Sequence, residues 1–92
     1  MERDIEKKLG AKLKAVGCLY VKVSSQFIKG MPDRLVIPFF GAPFFIELKQ
    51  PGKKPTKIQA ARHDDLRNRG VAVFVCATDD DIEKIITYAI RG

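Results

Sequence analysis

Two neighbouring apolar segments that carry charged residues constrain the fold of this chain more than any other feature. The segment GMPDRLVI (residues 30–37) places Asp33 at the start of one strand-like run, and FFIELK (residues 44–49) places Glu47 and Lys49 near the end of the next. Glycine and proline between the runs predict a turn, so the two runs should pair as an antiparallel hairpin. Such a hairpin would bring Asp33 to Glu47. Glu47 and Lys49, two residues apart on a strand, would project from one face.

Two carboxylates and an amine that meet at one place suit a divalent metal ion beside a phosphate group. Carboxylate oxygens are hard ligands of the kind that Mg²⁺ and Mn²⁺ prefer. A metal ion there would screen the charge of a phosphodiester and lower the pKa of a water molecule, while Lys49 would orient that water or stabilise developing charge. The alternative is structural: Asp33 would end a turn, and Glu47 and Lys49 would form a cross-strand ion pair.

Hydrophobic periodicity predicts seven elements in the order α-β-β-β-α-β-α, which fits an α/β domain with a mixed four-stranded sheet flanked by helices. The predicted elements are a helix over residues 2–16, strands over 18–24, 35–40 and 44–49, a helix over 56–69, a strand over 71–77 and a last helix from residue 78. The apolar, β-branched run at 71–77 favours a central strand. Pro38 favours an edge position for the second strand, or a bulge near its end.

Length and charge limit the number of domains and the kind of partner. The 92 residues are expected to form one domain, residues 1–92. A domain this small buries a modest core and would gain stability from a dimer. Seventeen basic and eleven acidic residues leave a net charge of +6. This charge favours a polyanionic partner, but it does not distinguish nucleic acid from a membrane surface.

Several kinds of site and location find no support in the sequence. The single histidine, His63, lies on a basic helix and is expected to be solvated or to contact phosphate rather than to act as a base. No zinc, ATP or dinucleotide motif occurs, so no nucleotide cofactor is expected. Cys18 and Cys76 lie in apolar runs and are expected to be buried and reduced, with one disulfide as the alternative. Since there is no signal peptide or membrane-spanning run, we expect a cytoplasmic protein with no membrane partner.

The acidic and basic motifs together resemble the core of the PD-(D/E)xK nucleases, and more closely their VRR-NUC family. The resemblance rests on KGMPDRLV (residues 29–36), on ELK followed by PGKKP (residues 47–55) and on Gln59, and it extends over nearly the whole chain. It is greatest to the small stand-alone phage-type members. It implies a restriction-endonuclease-like core in the element order given above, and an Mg²⁺- or Mn²⁺-dependent DNA endonuclease of phage or prophage origin. It also implies a homodimer that acts on branched DNA, like a Holliday-junction resolvase.

The resemblance further implies roles for individual residues. The implied catalytic residues are Asp33, Glu47, Lys49 and Gln59. The implied metal ligands are Asp33, Glu47, the backbone carbonyl of Leu48, and either Glu6 or Glu2. The residues themselves leave alternatives open. The two glutamates can instead be first-turn acids that answer the helix dipole, and Gln59 has capping-box spacing from Thr56.

Basic residues surround the acids in sequence and are expected to contact DNA phosphates without reading bases. They are Lys22, Lys29, Arg34, Lys53, Lys54 and Lys57. Lys22 would share a sheet face with Glu47 and Lys49 if their strands are neighbours. For any single lysine, ordinary surface charge is the alternative. For the whole protein, the alternative functions are a catalytically silent DNA-binding module of the same fold and a general nicking nuclease.

Four phenylalanines crowd one turn of the predicted hairpin. They are Phe39, Phe40, Phe44 and Phe45. A small domain is not expected to bury all four, so the sequence predicts a homodimer that covers this patch. A two-fold dimer would also set two active sites at a fixed distance.

Overall fold

The computed structural model describes residues 2–91, and their side chains from Asp4 onward. The elements are α1 (Glu2–Ala15), β1 (Leu19–Lys22), β2 (Arg34–Ile37), β3 (Phe44–Leu48), α2 (Lys57–Asn68), β4 (Val73–Cys76) and α3 (Asp79–Arg91). The predicted order α-β-β-β-α-β-α is confirmed. The predicted strands were longer than the observed ones, because the flanking residues leave the sheet for turns.

The four strands form one mixed sheet in the spatial order β1-β2-β3-β4. Strands β1, β2 and β3 pair antiparallel, and β4 pairs parallel to β3 after the crossover through α2. The prediction of a central position for residues 71–77 is wrong, since β4 is an edge strand. Its run is apolar because α2 and α3 both contact β4, so its side chains are covered even though one edge has no strand beside it.

Strand β2 is an interior strand, which corrects the edge position that Pro38 favoured. The ladder between β2 and β3 pairs Arg34 with Ile46 and Val36 with Phe44. Pro38 follows the last residue of β2 and therefore removes no hydrogen bond from the ladder.

The hydrophobic core lies between the sheet and the two helices α1 and α3. Its fully buried side chains include Leu9 and Leu13 of α1, Ile82 and Ile85 of α3, and Ile46 of β3. An aromatic cluster extends this core, with edge-to-face contacts that join the rings of β3, β4 and α3 at centroid distances of 4.9–5.4 Å. Burial on this face supplies most of the apolar stabilisation of the domain.

The opposite face of the sheet is more polar and only partly covered. Helix α2 packs there, and His63 is the one residue that is fully buried within this completely described helix. Arg67 Nη2 donates a hydrogen bond to the Val73 carbonyl at 2.8 Å, which ties α2 to β4. Val21 and Ile37, which lie on this face of β1 and β2, stay partly exposed.

Both cysteines are buried, and no disulfide joins them. Burial raises the pKa of the Cys18 thiol, and burial with the nearby Asp81 raises the pKa of Cys76 to about 12. These thiols are therefore protonated and poor nucleophiles.

Among the described helices, none combines the length and the apolar character needed to cross a bilayer.

The loop from residue 24 to residue 32 joins β1 to β2 and is fixed against the start of α2. Arg62 Nε donates a hydrogen bond to the Lys29 carbonyl at 3.1 Å. Gly30 has φ +80°, and a Cβ at this position would lie 2.6 Å from the Ile58 carbonyl oxygen. Glycine is thus required both for the backbone angle and for the close approach of the loop to α2.

This packing predicts different effects for two glycine substitutions. Gly52→Ala changes a residue with φ +82° that has open space around it, so it should lower the free energy of unfolding by about 1 kcal/mol through backbone strain alone. Gly30→Ala adds a backbone clash to the same strain and should cost about 2–3 kcal/mol or more. Urea denaturation measures both. Equal losses would contradict the contact between the loop and α2.

Candidate active site

The side chain of Asp33 replaces a backbone acceptor at the last position of the pairing between β2 and β3. Continuing the register from Arg34 and Ile46 would place Pro32 opposite Leu48. Instead of the ladder bond, the Leu48 N–H donates to Asp33 Oδ1 at 3.0 Å. Proline has no N–H to donate in return, so the ladder supplies no donor here for the Leu48 carbonyl. The Asp33 carboxylate therefore lies against the peptide that joins Glu47 to Leu48.

The position of Asp33 is fixed by its neighbours as well as by this hydrogen bond. Pro32 is fully buried, and the Val23 N–H donates to the Asp33 carbonyl at 2.9 Å. The backbone around Asp33 is held on both sides of the sheet's second strand. A carboxylate on such a backbone keeps its place when a ligand binds.

Glu47 and Lys49 lie on the face of the sheet that α2 covers, as their two-residue spacing predicted. Their strand neighbours Ile46 and Leu48 are buried in the core on the other face. Glu47 is only 4% exposed, and Lys49 is half-buried. The Lys49 N–H donates to the Cys76 carbonyl at 3.0 Å, so the end of β3 is held by β4.

His63 corrects its sequence-based prediction. It is neither solvated nor free to contact phosphate, because it is 2% exposed and its Nε2 lies 3.5 Å from Glu47 Oε1. Burial lowers the pKa of His63, and the charges of Arg67 and Lys49 lower it further, while Asp64 opposes them. The sequence does contain a pattern that predicts this position of His63. It lies four residues after Gln59, and residues at this spacing share one face of a helix, here the face toward the sheet.

Gln59 caps its own helix. Its N–H donates to Thr56 Oγ1 at 3.2 Å, and its Oε1 accepts the Thr56 N–H at 3.0 Å. This reciprocal pair is a capping box, as the spacing predicted. The side-chain oxygen of Gln59 is thus engaged, and its amide NH₂ is the group left for a second contact. The catalytic role of Gln59 stays a prediction.

Arg34 does not fit the predicted role of a phosphate contact. Because Arg34 pairs with Ile46, its side chain lies on the α1 face, where the residue is only 6% exposed. There Arg34 forms an ion pair with Glu6. Arg34 Nη1 donates a hydrogen bond to the Asp33 carbonyl at 2.9 Å and lies 3.6 Å from Asp33 Oδ2. Arg34 is therefore an internal link between the first helix and Asp33.

Of the two first-helix acids that the sequence left as alternatives, Glu6 is the one whose side chain the structure describes. Glu6 is engaged by Arg34, so as a metal ligand it would have to share its charge with that guanidinium. The side chain of Glu2 lies outside the described residues.

The predicted basic residues divide between two faces of the domain. Lys22 pairs with Arg34 and therefore lies on the α1 face, which corrects its predicted place beside Glu47. Strand β2 separates β1, which carries Lys22, from β3, which carries Glu47. The register of the pairing therefore decides which face Lys22 shares. On the site's side, a shallow cavity is lined by Leu48, Lys49, Gln50, Lys53, Lys54 and Thr56. Lys57 follows Thr56 of this cavity at the start of α2, and Lys29 lies on the loop that is fixed to α2; both are exposed.

Comparison with known proteins agrees with this geometry. No family model matches the chain. The protein named "Putative nuclease p44" from Acyrthosiphon pisum secondary endosymbiont phage 1 is 38% identical over 79 residues, which are 86% of this chain and 85% of that protein. A solved structure described as "VRR_NUC domain" superposes with a TM-score of 0.86 at 33% identity and covers 95% of both chains. The chain belongs to the VRR-NUC family. The core that the resemblance implied is confirmed, with the element order predicted from the sequence.

The donor atoms of this VRR-NUC chain fit a small, hard cation. Asp33 and Glu47 offer carboxylates at adjoining places, and Leu48 offers a backbone carbonyl. Mg²⁺ is commonly bound through one or two carboxylates and keeps several waters. Among residues 4–91, no group of three or more histidine, cysteine, aspartate or glutamate side chains is arranged as a metal cage. The site thus suits an ion that shares its coordination with water and substrate.

The Glu6–Arg34 pair generates a prediction that separates a structural role from metal binding. Glu6→Ala leaves the buried Arg34 with Asp33 but without the Glu6 carboxylate, so the free energy of unfolding in EDTA should fall by about 1–2 kcal/mol, given the partial exposure of that carboxylate. The control is Glu83→Ala, which breaks the exposed pair of Lys12 and Glu83 and should cost less than about 1 kcal/mol. Unchanged stability with loss of Mn²⁺ affinity would instead identify Glu6 as a ligand.

Proposed function

We propose that this VRR-NUC protein is an Mg²⁺- or Mn²⁺-dependent DNA endonuclease. The observation that carries the proposal is the hydrogen bond from the Leu48 N–H to Asp33 Oδ1. It joins the acid that opens β2 to the segment Glu47-Leu48-Lys49, so that two carboxylates and an amine lie at one end of the hairpin. The similarity to a phage nuclease supports the same activity.

Different residues of the chain would bind the metal ion, stabilise the transition state and hold the DNA during phosphodiester hydrolysis. Asp33, Glu47 and the Leu48 carbonyl would hold the divalent ion. Such an ion screens the charge of the phosphate and makes the attacking water more acidic. Lys49 lies two residues beyond Glu47 on the same face, where its ammonium group can stabilise negative charge that develops on the scissile phosphate. Lys53 and Lys54, on the same cavity as Lys49, would hold neighbouring phosphates.

Branched DNA is the substrate that we propose. The basic groups near the site are flexible lysines on loops and helix ends, which contact phosphates without reading a base sequence. Selection would then depend on the shape of the DNA rather than on its sequence. A general nicking nuclease and a silent binding module of the same fold remain the alternatives that the following experiment separates.

The test is cleavage of labelled four-way junctions, flaps and linear duplex in Mg²⁺ and in Mn²⁺. Lys49→Ala should reduce the cleavage rate by about 100-fold or more, because charge stabilisation in the transition state is lost. Asp33→Ala should abolish cleavage and also the heat of Mn²⁺ binding in calorimetry. Lys84→Ala, which removes an exposed lysine of α3, is the matched control and should cleave like the wild type.

Two outcomes would weigh against this assignment. If no substrate is cut in either metal, the silent binding module is favoured. If Asp33→Ala binds Mn²⁺ as tightly as the wild type, the metal site lies elsewhere in the protein.

We propose further that the active form is a homodimer joined through the exposed phenylalanines. Phe39 and Phe40 are 79% and 77% exposed, and they line a cavity with Val16, Ile90 and Arg91. They follow the last residue of β2, whereas Asp33 precedes its first, so the patch and the site lie at opposite ends of that strand. A two-fold axis at the patch would leave both sites open to DNA.

Light scattering at micromolar concentration should give twice the chain mass of 10.3 kDa for the wild type. Phe40→Asp should give a monomer, since a charge would be buried at the centre of the contact. Phe27→Asp, at a still more exposed phenylalanine outside the patch, should remain a dimer. A single-chain mass for the wild type with junction DNA bound would exclude the dimer and leave a nicking nuclease.

A further inference from the structure

Phe27 is exposed to solvent to an unusual degree for a large apolar side chain. It is 96% exposed, near the middle of the loop from residue 24 to residue 32. Two other apolar side chains nearby are also open to solvent, Ile28 on the same loop and Ile58 at the start of α2. The backbone of Gly30 lies directly against Ile58, so the loop that carries Phe27 and Ile28 is docked on the part of α2 where Ile58 is exposed. We call Phe27, Ile28 and Ile58 the loop patch.

The exposure of Phe27 is not a consequence of a loose loop. Ser25 Oγ accepts the Ile28 N–H at 3.1 Å, which forms a turn around Phe27. Arg62 holds the Lys29 carbonyl, and Gly30 packs on α2. The ring is therefore presented outward by a braced backbone. Apolar groups clustered at the surface in this way commonly mark a binding site.

The loop patch lies at the edge of the proposed active site. The hydrogen bond from the Val23 N–H to the Asp33 carbonyl closes the loop, so its last residue, Pro32, directly precedes Asp33. A DNA strand with its scissile phosphate at Asp33 reaches this loop if it continues on the side of Pro32. Near such a strand, the loop patch would present the aromatic ring of Phe27 rather than a further basic side chain.

The charges around the loop patch are those that a nucleic acid strand requires. Lys29 and Lys57 each adjoin a member of the patch in sequence, and both are exposed. The nearby Asp65 is neutralised by ion pairs with Arg62 and Arg69. An exposed apolar ring on the same surface as two exposed lysines complements a ligand in which flat apolar groups alternate with phosphates. A DNA strand is such a ligand, whereas an acidic peptide has no equivalent flat face.

We propose that Phe27 stacks on an unpaired nucleobase next to the scissile phosphate, while Lys29 and Lys57 contact the phosphates on either side. In a continuous duplex every base is already stacked between its neighbours, so the ring gains a partner only where a base is unpaired or unstacked. Phe27 would thus favour branch points, flaps and single strands over linear duplex. This inference rests on the proposed nuclease function, which brings DNA to the loop.

The absence of tryptophan from the chain allows a direct measurement. Phe27→Trp introduces a single indole, whose fluorescence is quenched when it stacks on a base. In EDTA, which prevents cleavage, single strands and four-way junctions should quench the emission strongly, and blunt duplex should quench it weakly. Phe39→Trp places the indole on the other exposed patch and serves as the control, with no quenching specific to unpaired DNA.

Affinity measurements separate stacking from general apolar contact. Phe27→Ala should weaken binding to single-stranded and junction DNA by about 5- to 100-fold, the range that base–aromatic stacking supplies, and should change duplex binding little. Phe27→Leu, which keeps apolar bulk without a ring, should lose nearly as much. Phe27→Tyr should bind like the wild type. A Leu variant with wild-type affinity would overturn stacking.

The remaining outcomes each decide between this proposal and another. If Phe27→Ala binds and cleaves branched DNA like the wild type, the stacking role is wrong and the nuclease function stands. If the wild type neither binds nor cleaves any DNA, the proposed function fails and this proposal fails with it. If Phe27→Ala changes the mass in light scattering, the loop patch is a contact between copies of the chain, and a nucleobase is not its ligand.

Discussion

The hydrogen bond between Asp33 Oδ1 and the Leu48 N–H is the interaction on which the site depends. At this position the Leu48 N–H donates to the carboxylate rather than to the carbonyl of Pro32 opposite it, and Pro32 has no N–H for the Leu48 carbonyl. The carboxylate takes over the role of a backbone acceptor, and in doing so it is carried to the end of β3. The register of the hairpin already places Asp33 opposite Glu47, and this hydrogen bond fixes the Asp33 carboxylate against the peptide that follows Glu47.

Two polar contacts, one on each face of the sheet and each with a buried member, hold the acids in place. On the α1 face, Arg34 joins Glu6 to the backbone of Asp33. On the α2 face, His63 lies against Glu47. A buried polar group costs free energy unless it has polar neighbours, so each of these contacts restrains an acid at the expense of apolar packing. Such polar positions within a small core are typical of a functional site rather than of a fold optimised for stability.

The domain is polarised along the direction of its strands. Cationic groups gather where β3 ends, around Lys49 and the following loop, whereas exposed phenylalanines gather where β2 ends, at Phe39 and Phe40. The antiparallel course of β2 and β3 produces this separation, because the end of one strand lies beside the start of the other. One end of the sheet can therefore face a polyanion while the other is covered by a second apolar surface.

The sequence by itself determined the element order, the antiparallel hairpin and the common face of Glu47 and Lys49. These follow from short-range patterns, since strand alternation and turn residues act over a few positions. Only the tertiary structure decided the faces of Lys22 and Arg34, the burial of His63 and the edge position of β4. Alternation tells which residues of one strand share a face, but a shift of register by one residue reverses that face relative to the next strand. Burial of His63 and coverage of β4 depend in the same way on where α2 docks, and that is set by contacts between residues far apart in the chain.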